Sequence, residues 1–420
     1  MIRNTFIRKA CLFSFVVGGF VTAGRLHAQG ETHKGLAIEK DRTAGYKANT
    51  GSEAKLIEVT DELPCDPGST VYIGDIIRRV TVLTTHENKV RLVTTVAYEG
   101  TCRYSNEQWL DILELKVSGR PGHLHVKCGN MEPGEEHNFN FQLAPNNLFF
   151  SPPGPPAPSR HRTPDLPQRK SLNDLTPNGT VVFDASGKWL YKKGNIRRNI
   201  YVYVPIGTKL DIESRYAEVI VDSNVREVNA RIMNGNLTMR DADKLVLTNS
   251  YGSVYVGNIV DARVDLIHGW FHAKNMSILD INSKVSTVEL GAQGKVKMIS
   301  NDDQYEMESA EMISGGKNYG SLRVITLKNS LDLSGVSADI KVHNIDPDVS
   351  LVKIDGQYAD LRLPVDNLKD YTVYFEGRGS NLYTPFDRGH ATDSSFKVTV
   401  GTGKKNSFWL KCSNCTLDMK

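Results

Sequence analysis

Helical periodicity is what this sequence lacks most. No stretch repeats apolar residues at helical spacing for any useful length, which excludes a helical bundle or a doubly wound α/β fold. A glycine-rich phosphate loop, a nucleophile elbow and a paired-histidine metalloprotease motif are also missing, so nucleotide chemistry and the common hydrolytic mechanisms have no carrier. Beyond the extreme N-terminus no apolar run is long enough to span a bilayer as a helix. Neither sign of charge is in large excess, with 51 Lys+Arg against 48 Asp+Glu. Four of the basic residues (Arg3, Arg8, Lys9 and Arg25) fall in the first 28 positions, which hold no acid, so the remainder carries 47 basic residues and 48 acidic ones. A chain so balanced is not drawn to nucleic acid or to an anionic membrane by its net charge.

Residues 1–28 read as a secretory signal: a basic start, an apolar run from Cys11 to Val21, and Leu26-His27-Ala28 before the cleavage point. Residues 29–68 are a polar, loose leader. Residues 69–148 alternate like strands (Val71/Ile73, Val80/Val82, Val90/Leu92, then Trp109 to Val117 and His123 to Val126) and read as an N-terminal β cap region. Residues 149–178 are proline-dense, a solvated linker or insert, because proline removes ladder donors and blocks helix.

What is present is a repeat, which dominates residues 179–385. Small or turn-forming residues recur at Ala217, Gly235, Gly252, Gly269, Ser286, Asp303, Gly320, Ala338 and Ala359, at steps of 17 or 18 residues and a last step of 21. Two places after each comes an apolar residue: Val219, Leu237, Val254, Phe271, Val288, Tyr305, Leu322, Ile340 and Leu361. Another follows two places later, and five places before the anchor stands a third mostly apolar position, with Gly315 the exception. Residues at i and i+2 share one face of a strand. A strand of about five residues cannot bury that face alone, but stacked copies bury it continuously and pair every backbone group. The spacing therefore predicts an all-β chain: a single-stacked β-solenoid of about nine rungs of ~17 residues, with β-rich N- and C-terminal caps, the latter at residues 386–420. An antiparallel meander would also repeat its strands, though hairpins rarely hold one period through nine units.

Two stretches carry a resemblance. One is Gly68-Ser-Thr-Val-Tyr-Ile-Gly-Asp-Ile-Ile-Arg-Arg-Val-Thr-Val82, and the other is Asn249-Ser-Tyr-Gly-Ser-Val-Tyr-Val256, echoed at Asn318 to Val324. They resemble the putative-adhesin family of bacterial envelope proteins, a domain of unknown function with an adhesin-like β-solenoid. The similarity spans roughly residues 69–385, interrupted by the proline segment. It implies the solenoid fold and an exported location, in the periplasm or on the outer cell surface, and it names no ligand. The long proline insert and the cysteine-bearing ends depart from the family.

Five cysteines lie beyond the signal: Cys65, Cys102, Cys128, Cys412 and Cys415. In an exported chain they are disulfide candidates, one pair among the first three and a local bridge between the last two. Free or redox thiols are the alternative. A metal site with His123 and His125 near Cys128 is a weaker one, since zinc wants four ligands and the spacing does not demand it. No metal and no cofactor are expected. Three places past each anchor the outward row reads Ile220, Thr238, Tyr255, His272, Glu289, Glu306, Arg323, Lys341 and Arg362. Glu289 and Glu306, about 5 Å apart on adjacent rungs, could serve acid–base work on a polysaccharide, but a ladder flanked by bases reads more readily as a solvated face. The row just before the anchors holds Tyr216, Asn234, Tyr251, His268, Val285, Asp302, Tyr319, Ser337 and Tyr358, with Trp270 beside it. Its rings either stack on one another or offer flat faces to a ligand, and Tyr251, His268 and Trp270 are expected to make the densest patch. The reading that follows is an exported, non-enzymatic envelope binding or interaction module with a glycan or an envelope protein as partner. The alternatives are a polysaccharide-active solenoid enzyme and a purely structural or sensory envelope protein.

Overall fold

The structure, a computed structural model, describes residues 54–76, 79–99, 105–129, 181–183, 199–386 and 395–420. The expected signal, residues 29–53 of the leader, Cys102 and the proline-rich segment lie outside the described residues.

The chain is all-β, and one hydrogen-bonded network takes in all 26 described strands. Two parallel ladders run through it. Short strands Glu218–Val221, Asn236–Met239, Ser253–Val256 and Trp270–Ala273 pair in succession, each residue with the one 17 or 18 places on. Longer strands Lys209–Arg215, Val225–Met233, Ala242–Ser250, Ile259–Ile267 and Met276–Lys284 do the same. Both ladders pass into Thr287–Val336, a single 50-residue run of strand, and emerge as Asp339–Ile345 and Leu351–Gln357.

The register explains the spacing. Val219 pairs with Leu237, Leu237 with Val254, Val254 with Phe271 and Phe271 with Val288. Farther along, Leu322 pairs with Ile340 and Ile340 with Leu361. All nine members of this column, Tyr305 included, are 3% exposed or less. The residues five places before each anchor, such as Ile212, Leu247, Val264 and Ile281, belong to the other ladder and join the same hydrophobic cluster. The two ladders thus face each other across one core, and each fully buried Val, Leu or Phe contributes about 1.5–3 kcal/mol.

Spatial order departs from chain order at both ends. Thr70–Ile76 lies between His123–Cys128 and Lys209–Arg215, and Arg79–Thr85 between Asn199–Pro205 and Glu218–Val221. At the other end Asn406–Ser413 is inserted between Leu351–Gln357 and Tyr371–Glu376, and Thr416–Asp418 between Asp360–Arg362 and Asn381–Tyr383. Antiparallel strands finish the sheet: Leu115–Arg120 on His123–Cys128, and Ser395–Val400 on Tyr371–Glu376. An antiparallel neighbour covers donors that would otherwise template foreign strands.

Two expectations need correcting here. Trp109 to Val117 is not one strand, because Asn106–Leu113 is a helix and only Leu115–Arg120 is extended. Ser105 caps that helix, its hydroxyl accepting from the Gln108 N–H while the Gln108 side chain accepts from the Ser105 N–H. The Ser-x-x-Gln signature stood in the sequence and outweighed the alternation. Nor do residues 386–420 stand apart from the earlier spacing: Leu410, Leu417 and Met419 lie about Cys415 as Ile212, Val219 and Val221 lie about Ala217, and all are buried.

Candidate functional site

Each unit turns one corner in the same way. Every residue of the row before the anchors, from Tyr216 to Tyr358, has φ between 49° and 63°, and Asn414 adds a tenth at 55°. The left-handed conformation swings the chain from the long ladder into the short one within a single residue. The anchor that follows must then be small because the units are close. A Cβ on Gly252 would stand 1.9 Å from the Gly235 carbonyl oxygen, and one on Gly235 2.3 Å from that of Ala217. Gly252 itself has no positive φ; its neighbour Tyr251 does, at 57°. The tyrosine therefore makes the left-handed bend and the glycine supplies room.

The residue three before the anchor secures the corner from inside. Ser214 donates its hydroxyl to the Ala217 carbonyl at 3.3 Å, and Asn249 its carboxamide to the Gly252 carbonyl at 2.9 Å. Cys412 and Cys415 occupy the same two positions and are disulfide-bonded. At Asp303, where the anchor is an acid, the corner becomes a buried polar network. Its carboxyl oxygens accept from the Ser283 and Ser300 hydroxyls at 2.8 and 2.7 Å and from the Asn301 and Ser286 N–H groups at 2.9 and 2.7 Å. With the Ser283 proton so committed, the Tyr305 hydroxyl donates to Ser283 Oγ at 2.5 Å. Lys317, fully buried, fills the space beside Gly320 and donates Nζ to the carbonyls of Asp303 at 2.7 Å and Tyr319 at 2.5 Å. Burial pulls its pKa down to about 8, against the opposing pull of the Asp303 and Asp302 carboxylates. Burial likewise pushes the Tyr305 phenol well up. Sequence reasoning missed this network, although an Asp among small anchors and a Lys three before a glycine were its signal.

Outside the same corners the row side chains point to solvent. Tyr251 is 60% exposed, Tyr319 51% and Tyr358 62%; Tyr216 is exposed less, and His268 is exposed as well. Tyr251 and His268 stack, with centroids 5.1 Å apart and planes 6° from parallel. Trp270 does not join them. It turns onto the outer face of the short ladder, half-buried and tilted against Tyr255 at 5.9 Å. The expected three-ring patch is therefore split: Tyr251 and left-handed His268 stack at the corner, while Trp270, already in the short strand, packs against Tyr255. Beside Trp270, His272 Nδ1 lies 3.3 Å from Glu289 Oε2. Burial, and then the Glu289 charge, raises the Tyr255 hydroxyl. Glu306 is exposed on the next unit.

The corner on the other side carries amides. Asp241, Asn258 and Asn275 stand 17 residues apart, and each side chain accepts from the next unit: Asp241 Oδ1 from Asn258 Nδ2 at 3.1 Å, Asn258 Oδ1 from Asn275 Nδ2 at 2.7 Å, and Asn275 Oδ1 from the Ala292 N–H at 3.1 Å. The spacing was legible, and the apolar periodicity drew attention from it. A groove of about 640 Å³ runs along this corner.

Cys65 and Cys128 are both free and buried, so no bridge joins them, and burial raises both thiols. His125 lies against the Tyr72 ring, 4.8 Å between centroids. Among the described residues no three His, Cys, Asp or Glu side chains are disposed to hold a metal, and no helix is long and apolar enough to cross a membrane.

No family model matches the chain, and no curated protein does. Among solved structures it is similar to a putative cell adhesion protein from Clostridium sporogenes, with 11% identity, 87% of this chain and 99% of that one covered, and a TM-score of 0.17. A likeness that slight supports neither a shared fold nor a shared activity.

Proposed function

We propose that the chain is an exported, non-enzymatic β-solenoid of about nine rungs that serves as a cell-envelope binding or interaction module. Its contact surface is the exposed corner row, and its partner is a glycan or an envelope protein. One observation carries this reading. Tyr251, Tyr319 and Tyr358 sit in the left-handed region yet are more than half exposed. A residue with a Cβ loses about 1–2 kcal/mol there, and glycine or asparagine would serve the backbone better. Ring stacking along the row does not account for Tyr319 or Tyr358. The corner residues one unit away are Asp302 and Ser337 for the first, and Ser337 and Asn414 for the second. Exposed rings kept where the backbone disfavours them support use at a surface. The enzymatic alternative has thinner support, since Glu289 is taken up by His272.

The test is a triple variant, Tyr251→Asn, Tyr319→Asn and Tyr358→Asn. Asparagine tolerates the left-handed conformation, so the melting temperature should hold or rise. Retention on a glycan array and recovery of envelope proteins by the mature chain should both fall. Binding that survives the triple change removes the row from consideration. Saccharide cleavage by the wild type, lost in Glu289→Gln with Glu306→Gln, would replace this reading with the enzymatic one.

A further inference from the structure

We infer that the amide corner is a second binding site, a groove for a neutral saccharide. The inference stands independently of the tyrosine row. The groove, of about 640 Å³, has the volume of a small-molecule site, roughly 300–1,000 Å³. It also holds an unmet bond. Gln293 lines it and is only 3% exposed; its Nε2 donates to the Lys274 carbonyl at 3.2 Å, while its Oε1 has no partner. A buried acceptor left unpaired costs about 1–3 kcal/mol, so the site favours a ligand that brings a donor.

The rest of the lining says which donor. Asp243 and Glu311 add carboxylate acceptors, and Ser277 adds a hydroxyl. Lys328 is the cation among these, and it pairs with Glu311 at 3.4 Å. An anionic ligand would bring acceptors to acceptors and negative charge to carboxylates. Val260, 53% exposed, and Met276 supply apolar surface between the polar groups. A pyranose matches that mixture, with hydroxyl donors around its edge and C–H groups on its faces. A polyamine would also bring donors, and its charge would suit the carboxylates, but it offers no flat apolar face to Val260, and that face is what favours the saccharide.

The experiment uses the mature chain and saturation-transfer NMR with cellobiose and chitobiose, followed by calorimetric titration. A uronic-acid disaccharide and spermidine serve as comparison probes. The neutral disaccharides should receive saturation, and the two comparison probes should not. Gln293→Met keeps the side-chain length and removes the orphan acceptor. It should weaken disaccharide binding about tenfold, the worth of one such bond, without lowering the melting temperature. Val260→Arg, an exposed change that occupies the groove, should abolish binding even if Gln293→Met fails to fold. Tyr251→Asn should leave it intact. No transfer to either neutral disaccharide at millimolar concentration, binding undiminished in Val260→Arg, or preference for the anionic probe or spermidine would each overturn the proposal.

Discussion

At the scale of single residues, position within the corner decides what a change does. Gly252→Ala drives a Cβ to 1.9 Å from the Gly235 oxygen, a backbone atom that cannot rotate away. It should lower unfolding free energy by at least about 2 kcal/mol in a denaturant titration. The adjacent change Tyr251→Gly should act in the opposite sense, by up to about 1 kcal/mol, since it relieves a left-handed side chain. If both variants destabilise alike, the assignment of room to one residue and bend to the other is wrong. Lys317 allows a pH test. Its folded pKa, about 8, lies below its ordinary value of 10.5. Below pH 8 both folded and unfolded states hold the proton, and the full cost of burying the ammonium is present. Between pH 8 and 10.5 the unfolded chain keeps the proton and the folded one has shed it, so stability rises with pH. The raised phenol of Tyr305 and the raised thiols of Cys65 and Cys128 act in the opposite direction above their ordinary values. The readout is therefore the difference between wild type and Lys317→Met. It should be flat below pH 8 and climb by on the order of 2 kcal/mol by pH 10.5.

At the scale of the element, a strand of four residues is only as good as its neighbours. Val254 is wholly buried and paired on both sides, with Leu237 and Phe271. Val254→Asp should cost more than about 4 kcal/mol, through an unpaired buried carboxyl, and deuterium uptake should rise in the paired strands as well as its own. Uptake confined to residues 253–256 would mean that the units do not lean on one another. The Cys412–Cys415 bridge closes a loop so short that chain entropy gives it only about 2 kcal/mol. Replacing both with serine should cost that much or less, with increased exchange in Leu351–Gln357 and Tyr371–Glu376, the strands on either side of Asn406–Ser413. The sulfurs here do what Ser214 and Asn249 do with hydrogen bonds.

At the scale of the whole molecule, residues 406–413 and 416–418 are interior to the sheet. Removing residues 406–420 takes out the strand that separates two others and leaves both with unpaired edges. Such a truncation should elute as aggregate on gel filtration, unlike the usual trimming of a frayed terminus. A monomeric, cooperatively melting product would show that Leu351–Gln357 caps the stack by itself.

The sequence by itself determined the all-β class and the buried apolar column, because apolar alternation and spacing are local. It also marked the corner row and the small anchors, and in Cys412-Ser-Asn-Cys415 it held the repeat's own corner, unread because the step from Ala359 is so long. Only the tertiary structure decided which corner residue is left-handed, since φ is set by the path between two ladders and not by the residue type that occupies it. Only it placed Trp270 apart from Tyr251 and His268, inserted Asn406–Ser413 between two earlier strands, and brought Asp303, Tyr305 and Lys317 into one buried network. Those are contacts between units, and a one-dimensional pattern records the period at which units meet without recording what each side chain meets there.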